Sequence, residues 1–165
     1  MAARPMQELR SELQKELDPL FYPSSIAIIG ASQNLVKPSG IPLALLTMFE
    51  YAGKVYPVNP KYDQVGGWKC YPTLADIPDP VDLAIIGVPA AITMDALRQC
   101  AAAKVKVAVV FTSGFAEVGE SGRKIQEEMR RLAQSSGMRI LGPNCLGVMN
   151  FYNGSVPSFM YHEKP

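Results

Sequence analysis

The sequence is poor in charge of either sign in excess: 16 Lys and Arg stand against 15 Asp and Glu, for a formal net charge of +1. Such a chain creates no broad field of the kind that draws proteins onto nucleic acid or anionic membranes, so any anion site must be local. Cysteine is also scarce, with Cys70, Cys100 and Cys145 alone. An odd number at wide spacings fits neither a disulfide framework nor a zinc site, and it suits a reducing compartment. A cytoplasmic location and no metal are therefore expected. No apolar run approaches the length of a membrane span. The opening MAARPMQELRSELQKELD has no apolar core of the signal-peptide kind, and Glu8, Glu12, Glu16 and Asp18 do not belong in an acid-poor transit peptide. There is one histidine, His162.

What is present is apolar patterning. The 165 residues are 48% hydrophobic, enough for one domain with its own core and too few for two comfortable ones. Met6, Leu9, Leu13 and Leu17 fall three or four apart, which predicts a short amphipathic helix over 6–17. After it, apolar runs at 26–29, 55–58, 83–88, 107–111 and 139–141 alternate with helical or irregular stretches. Ile92, Leu97 and Cys100 mark one helix after Val88. Ile125, Met129 and Leu132 line another that starts near Ser121 and stops at Gly137, a residue suited to a left-handed cap. Strands this uniformly apolar are buried on both faces, and helical crossovers make them parallel. The expected fold is α/β, a doubly wound parallel sheet. Ligands in such sheets bind beyond the carboxyl ends of the strands.

The first strand runs into Gly30. A Gly-x-Gly-x-x-Gly turn from there would need glycines at 32 and 35, where Ser32 and Leu35 stand. Instead a long connection, ASQNLVKPSGI, precedes a helix with Pro42 in its first turn, whereas such loops usually take about 2–6 residues. Ser32, Gln33, Asn34, Lys37 and Ser39 offer hydroxyl, amide and ammonium donors, and the helix N-terminus behind them offers free N–H groups; both suit a phosphate. A strand-glycine turn can equally be a plain tight connection. The second strand ends in Asn59-Pro60-Lys61, where NAD-binding folds keep an Asp or Glu for the ribose hydroxyl. Lysine there favours a ribose that itself carries phosphate, as in NADP or coenzyme A. A solvated surface side chain is the plainer alternative for Lys61.

The segments SIAIIGAS, GKVYPVNPK, YPTLADIPDPVDLAIIGVPA, FTSGFAEVGESG and RILGPNCLGVMN, in this order, resemble the Rossmann-like coenzyme A-binding domain of the NDP-forming (ADP-forming) acyl-CoA synthetases. That family includes ADP-forming acetyl-CoA synthetase and, more distantly, the succinyl-CoA synthetase α subunit. The likeness covers roughly residues 18 to 155 and rests on the ordered set, since Gly-Ala-Ser alone is weak. It implies that the turn Gly30, Ala31, Ser32 and Gln33 cradles coenzyme A phosphates and that Lys61 approaches the phosphorylated nucleotide end; Lys37 joins the candidates through the donor chemistry of the loop. It places Val88 and Pro89, then Thr112, Ser113 and Gly114, along the ligand. Without the resemblance, Val88-Pro89 reads as strand termination and Thr112-Ser113 as a helix-capping pair. Gly142-Pro143-Asn144-Cys145 matches the motif near the reacting thiol. Asn144 is suited to donate to developing negative charge. Cys145 has no base to activate it and reads as a site-lining thiol, so no catalytic residue is assigned.

In that family the reaction, acyl-CoA with ADP and phosphate giving acid, CoA and ATP, passes through a phosphohistidine in a following domain and is completed by an ATP-grasp domain. His162 has no such motif around it and reads as an ordinary exposed histidine. The expected layout is a helical extension over 1–18, the coenzyme A domain over 19–150, and a tail or linker over 151–165. A piece of a longer ligase, binding coenzyme A without turnover, is the expectation. Three alternatives stay open: the same domain in a protein acetyltransferase fusion, a free-standing coenzyme A-binding protein, and an NADP-binding reductase domain.

Overall fold

The structure, a computed structural model, describes residues 6–160. His162 and the side chains of Met6 and Leu9 lie outside the described residues. Helix α1 spans Met6–Phe21 and leads into β1, Ser25–Ile29. Next come α2 (Ile41–Met48), β2 (Lys54–Val58) and a small hairpin of β3 (Gln64–Val65) and β4 (Trp68–Lys69). β5 (Leu83–Ile86), α3 (Ala90–Ala102), β6 (Val107–Val110), α4 (Glu120–Ser136) and β7 (Arg139–Leu141) complete the order.

Five strands form one parallel sheet in the order β2-β1-β5-β6-β7. The chain steps from β1 outward to β2, then returns to the other side of β1 with β5. The point where direction reverses lies between β1 and β5, the place where doubly wound sheets open a crevice. The Rossmann-like α/β expectation holds. β1, β5 and β6 are buried at every position, because helices cover both faces. Strand alternation splits them between two cores. Ala27, Ile29, Ala84, Ile86, Ala108 and Val110 face α3 and α4 with Leu97, Cys100 and Met129. Ile26, Ile28, Leu83, Ile85, Val107 and Val109 face α2, meeting Leu43 and Leu46.

The element boundaries differ from the sequence expectation in instructive ways. α1 runs four residues past 17, through Pro19, and Leu20 rather than Leu13 packs onto the core. Leu13 is 54% exposed, so the apolar face read from its spacing is not buried there. α4 stops where expected, at Gly137 with φ of +76°, its N–H donating to the Ala133 carbonyl. The hairpin over 64–69 was not expected from the sequence. Its strands have two residues each, too short for a period, and Gly66 and Gly67 (φ +59° and +89°) make the turn between them.

At the amino ends of the strands, Asp82 is a clasp. Its carboxylate accepts from the Ser24 N–H at 2.8 Å and pairs with Lys106 at 2.8 Å, tying the entries of β1, β5 and β6. Burial alone would push this carboxyl up, but Lys106 and the backbone N–H groups outweigh it and hold it below its ordinary value of 3.8. A depressed carboxylate contributes stability that is complete above the ordinary value and lost as pH falls through the folded one. Urea midpoints followed from pH 6 down to pH 2 will therefore show an acid loss that is smaller in Asp82→Asn, which starts from a lower midpoint at neutral pH. An unchanged acid profile in the variant would remove Asp82 as a contributor.

Candidate functional site at the carboxyl edge of the sheet

At the exits of β1 and β5 the two backbones are in contact. β1 ends in Gly30 with φ of +87°, and a Cβ there would lie 2.7 Å from the Gly87 carbonyl oxygen and 2.8 Å from Val88 Cγ1. Only glycine has both the torsion and the room. Gly30 N–H donates to Val58 and Gly87 N–H to Ile29, both at 2.9 Å, so the exits of β2, β1 and β5 are stitched in register. Beyond Gly30 the loop carries its own turns: the Ser32 hydroxyl accepts from the Asn34 N–H at 3.1 Å, and Asn34 Oδ1 from Val36 at 3.2 Å. It then folds back until Ser39 stands over Gly87, where an added Cβ would meet Ser39 Cβ at 3.4 Å.

The N–H groups of Ala31, Ser32 and Gln33 make no hydrogen bond among the described residues. They follow one another directly, and Ala31 is fully buried. Ala31 is the buried one of the three, with Ser32 half-buried and Gln33 exposed, and successive N–H groups without a partner in the chain leave this turn open to an acceptor from outside it. The helix behind the loop behaves otherwise than expected. The N–H groups of Gly40 and Ile41 donate to the Lys37 carbonyl, Pro42 has none, and Leu43 and Ala44 donate to Gly40, so the first turn of α2 offers no free donor. The donor set lies in the loop.

Around this cradle the other expected positions are linked by short bonds. Asn59 donates through Nδ2 to the Ala31 carbonyl at 2.8 Å and accepts the Lys61 N–H at 3.0 Å, bringing Lys61 to the same corner. Gln33 donates to the Gln64 carbonyl at 3.3 Å, which ties the loop to the hairpin. On the other side the Thr112 hydroxyl donates to the Val88 carbonyl at 2.6 Å, and the Thr112 carbonyl accepts from the Asn144 N–H at 2.9 Å. Thr112 thus bridges strand exits and caps no helix. Asn144 sits at φ of +55°, a conformation its type tolerates, and its side-chain amide is uncommitted among the described residues. Lys37, Lys61, Pro89 and Ser113 are exposed, and neither ammonium is in an ion pair among the described residues.

Two groups are spoken for. Gly114 N–H donates to Glu117 Oε1 at 2.6 Å, so it has no proton to offer a ligand; that N–H, with those of Glu117 itself and Phe115, holds the Glu117 carboxyl below its ordinary range. Cys145 donates to the carbonyls of Val110 at 3.3 Å and Leu141 at 3.6 Å, and burial pushes its thiol up despite those contacts. A thiol that stays protonated at neutral pH is a poor nucleophile. Cys100, in the core, is pushed up to about 12 by burial.

Sequence reading passed over Asn59, Gly87, Gln64 and Glu117. Asn59 had a signal, since Asn-Pro after a strand is a turn opener whose side chain bonds the backbone two residues on. Gly87 and Gln64 had none, because their roles depend on segments distant in the chain, whereas the Glu117 contact with Gly114 spans three residues and is local. Gly30→Ala should destabilise the whole domain by about 2 kcal/mol or more, through strain and overlap. Asn59→Ala should cost about 1 kcal/mol and act locally, speeding amide exchange over 31–40 while leaving the strands protected. Equal effects of both on the strand amides would contradict this division.

A family profile described as a CoA binding domain matches residues 24–151. The chain is 45% identical over 144 residues to the ADP-forming acetate–CoA ligase II of Archaeoglobus fulgidus, a match covering 87% of this chain and 21% of the relative. It is 43% identical over 134 residues to the alpha subunit of ADP-forming acetate–CoA ligase II of Pyrococcus furiosus, covering 81% and 29%. Among solved structures, dinucleotide forming acetyl-coenzyme A synthetase 1 of Ca. Korarchaeum cryptofilum, in complex with phosphate and ADP, superposes with a TM-score of 0.82 at 44% identity, over 87% of this chain and 30% of that one. The chain thus spans between about a fifth and a third of the length of these relatives. By its matched sequence and its five-stranded parallel sheet, the chain belongs to the family of CoA-binding domains that the ADP-forming acetate–CoA ligases carry.

Proposed function

We propose that this chain binds coenzyme A at the carboxyl edge of its sheet, as the coenzyme module of an ADP-forming acid–CoA ligase. The observation that carries the reading is the run of N–H groups at Ala31, Ser32 and Gln33 that have no partner among the described residues, beside Gly30, whose missing Cβ lets the exit of β1 close onto Gly87 and Val88. A pyrophosphate has the acceptors and the charge to satisfy them. The Ser32 hydroxyl, which accepts from Asn34, keeps its proton free to donate, and Lys37 adds a cation in the same loop. Gln33 contributes its backbone N–H while its side chain holds the hairpin. At the β2 exit a carboxylate suited to an unmodified ribose is absent; Asn59 is taken up in bracing the loop, and Lys61 supplies a cation for a ribose phosphate.

Val88 and Pro89 form the wall of the crevice, and the turn of Thr112, Ser113 and Gly114 continues it toward β7. Gly114 acts through its torsion of +104°, since its N–H is given to Glu117. When bound, the coenzyme supplies the thiol that accepts an acyl group. Asn144, whose amide has no partner among the described residues, would donate to charge developing on an acyl oxygen, and Cys145 would line that end as a protonated thiol. The proposal assigns the coenzyme function to 19–150, with 1–18 as an extension and 151–165 leading toward phosphohistidine and ATP-grasp domains in the same or another chain. A cytoplasmic setting fits the coenzyme and the free thiols.

Calorimetry tests it. Coenzyme A should bind, dephospho-coenzyme A should bind more weakly, and NADPH should give little heat. NADPH binding with no response to coenzyme A would sink the proposal. Lys61→Ala should weaken coenzyme A by about tenfold, equal to about 1.4 kcal/mol, and barely affect the dephospho form. Equal losses for both would move Lys61 away from the ribose phosphate.

A further inference from the structure

β7 is the last strand of the sheet, and its outer side is unpaired among the described residues. The Arg139 N–H donates to the Lys106 carbonyl at 2.9 Å, so Arg139 and Leu141 turn their backbone groups toward β6. By the alternation of a parallel ladder, Ile140 turns its N–H and carbonyl outward. Sheet edges are usually blunted or covered, because unpaired N–H and carbonyl groups recruit other strands.

This edge is recessed. α4 walls it on one side and α1 on the other, with Glu16 of α1 ion-paired to Arg139. The groove between them has a volume of about 1300 Å³ and includes Ile140, Gly142, Met129 and Pro19 on its walls. A strand laid there would have a helix on each face, as the inner strands do.

The charge of the groove names the occupant. Six of its lining residues are Lys or Arg and two are Glu. Both glutamates are already neutralised, Glu16 by Arg139 and Glu127 by Arg130, while Lys106 is paired to Asp82. Lys15 and Lys104 have no ion pair among the described residues, and Arg123 reaches only Glu120 at 3.6 Å. A second copy paired through the same edge would set two such cationic walls face to face. In a chain whose net charge is +1, this concentration of one sign is local and one-sided.

We propose that the β7 edge is a docking slot for an extended acidic segment of a partner polypeptide, which adds to the sheet as a sixth strand. Main-chain bonds to Ile140 would supply affinity, and the lysines would select acidic over basic segments.

The probe is a fluorescent Glu-Val-Glu-Val-Glu-Val peptide, compared with its Lys-Val counterpart and with Glu-Gly-Glu-Gly-Glu-Gly, which has the same charge and poor strand propensity. Anisotropy at low ionic strength should show binding of the Glu-Val peptide alone, weakened by salt, and amide exchange at Ile140 should slow about tenfold when it is bound. Lys15→Glu with Lys104→Glu should weaken binding about tenfold or more. Ile140→Pro should abolish it with the fold retained, since the lost N–H is outside the ladder; should that variant not fold, exchange at Ile140 in the unaltered chain decides. Equal binding of the Glu-Gly peptide, unchanged exchange at Ile140, or self-association of the chain through β7 would each overturn the proposal.

Discussion

The contact between the exits of β1 and β5, backbone against backbone at Gly30 and Gly87, is the constraint on which the site depends. It brings two loops from either side of the sheet's reversal point into van der Waals distance, leaving no room for a side chain between them. The consequence is chemical. Past the turn at φ of +87°, the N–H groups of Ala31, Ser32 and Gln33 have no partner among the described residues. Leaving donors unpaired is unfavourable in a folded protein unless something else accepts from them. The same geometry that closes the sheet thus leaves the donors on which the proposed anion site rests.

Everything near this contact holds it still. Asn59 braces the loop from the β2 side, Gln33 fastens it to the hairpin, and the bonds from Thr112 to Val88 and from Asn144 to Thr112 extend the rim across β6 to β7. Beneath the rim, two apolar layers fix the strands. At their amino ends Asp82 ties three entries together. The molecule has a braced floor and a rim of mutually supporting bonds, with Lys37 and Lys61 exposed and outside any ion pair among the described residues. The proposed binding groups lie in loops, and these bonds tie the loops to the rigid sheet.

Much of the frame was legible in the sequence, because apolar runs of four or five residues bounded by turn residues report burial directly. β1, β5 and β6 were readable for that reason, and so was the left-handed stop of α4 at Gly137. The hairpin over 64–69 was not, since two-residue strands have no periodicity to detect. α1 was read from spacing alone, and Leu13 shows the weakness of that signal: the right interval does not guarantee a surface to pack on. The first turn of α2 was misjudged for a related reason. Whether its N–H groups are free depends on Lys37 folding its carbonyl back onto them, which is a property of the loop's path.

By itself, the order of residues determined that the chain would form a buried parallel sheet, that glycine would end the first strand, and that a cation would follow the second. These are local matters of burial, torsion and charge, carried by neighbours in the chain. Only the tertiary structure decided which donors remain unpaired among the described residues, that Asn59 reaches the Ala31 carbonyl, and that β7 has a basic edge with no neighbouring strand among those residues. Hydrogen bonds between residues dozens of positions apart consume some groups and spare others. No reading of spacing can reveal that outcome before the strands are laid side by side.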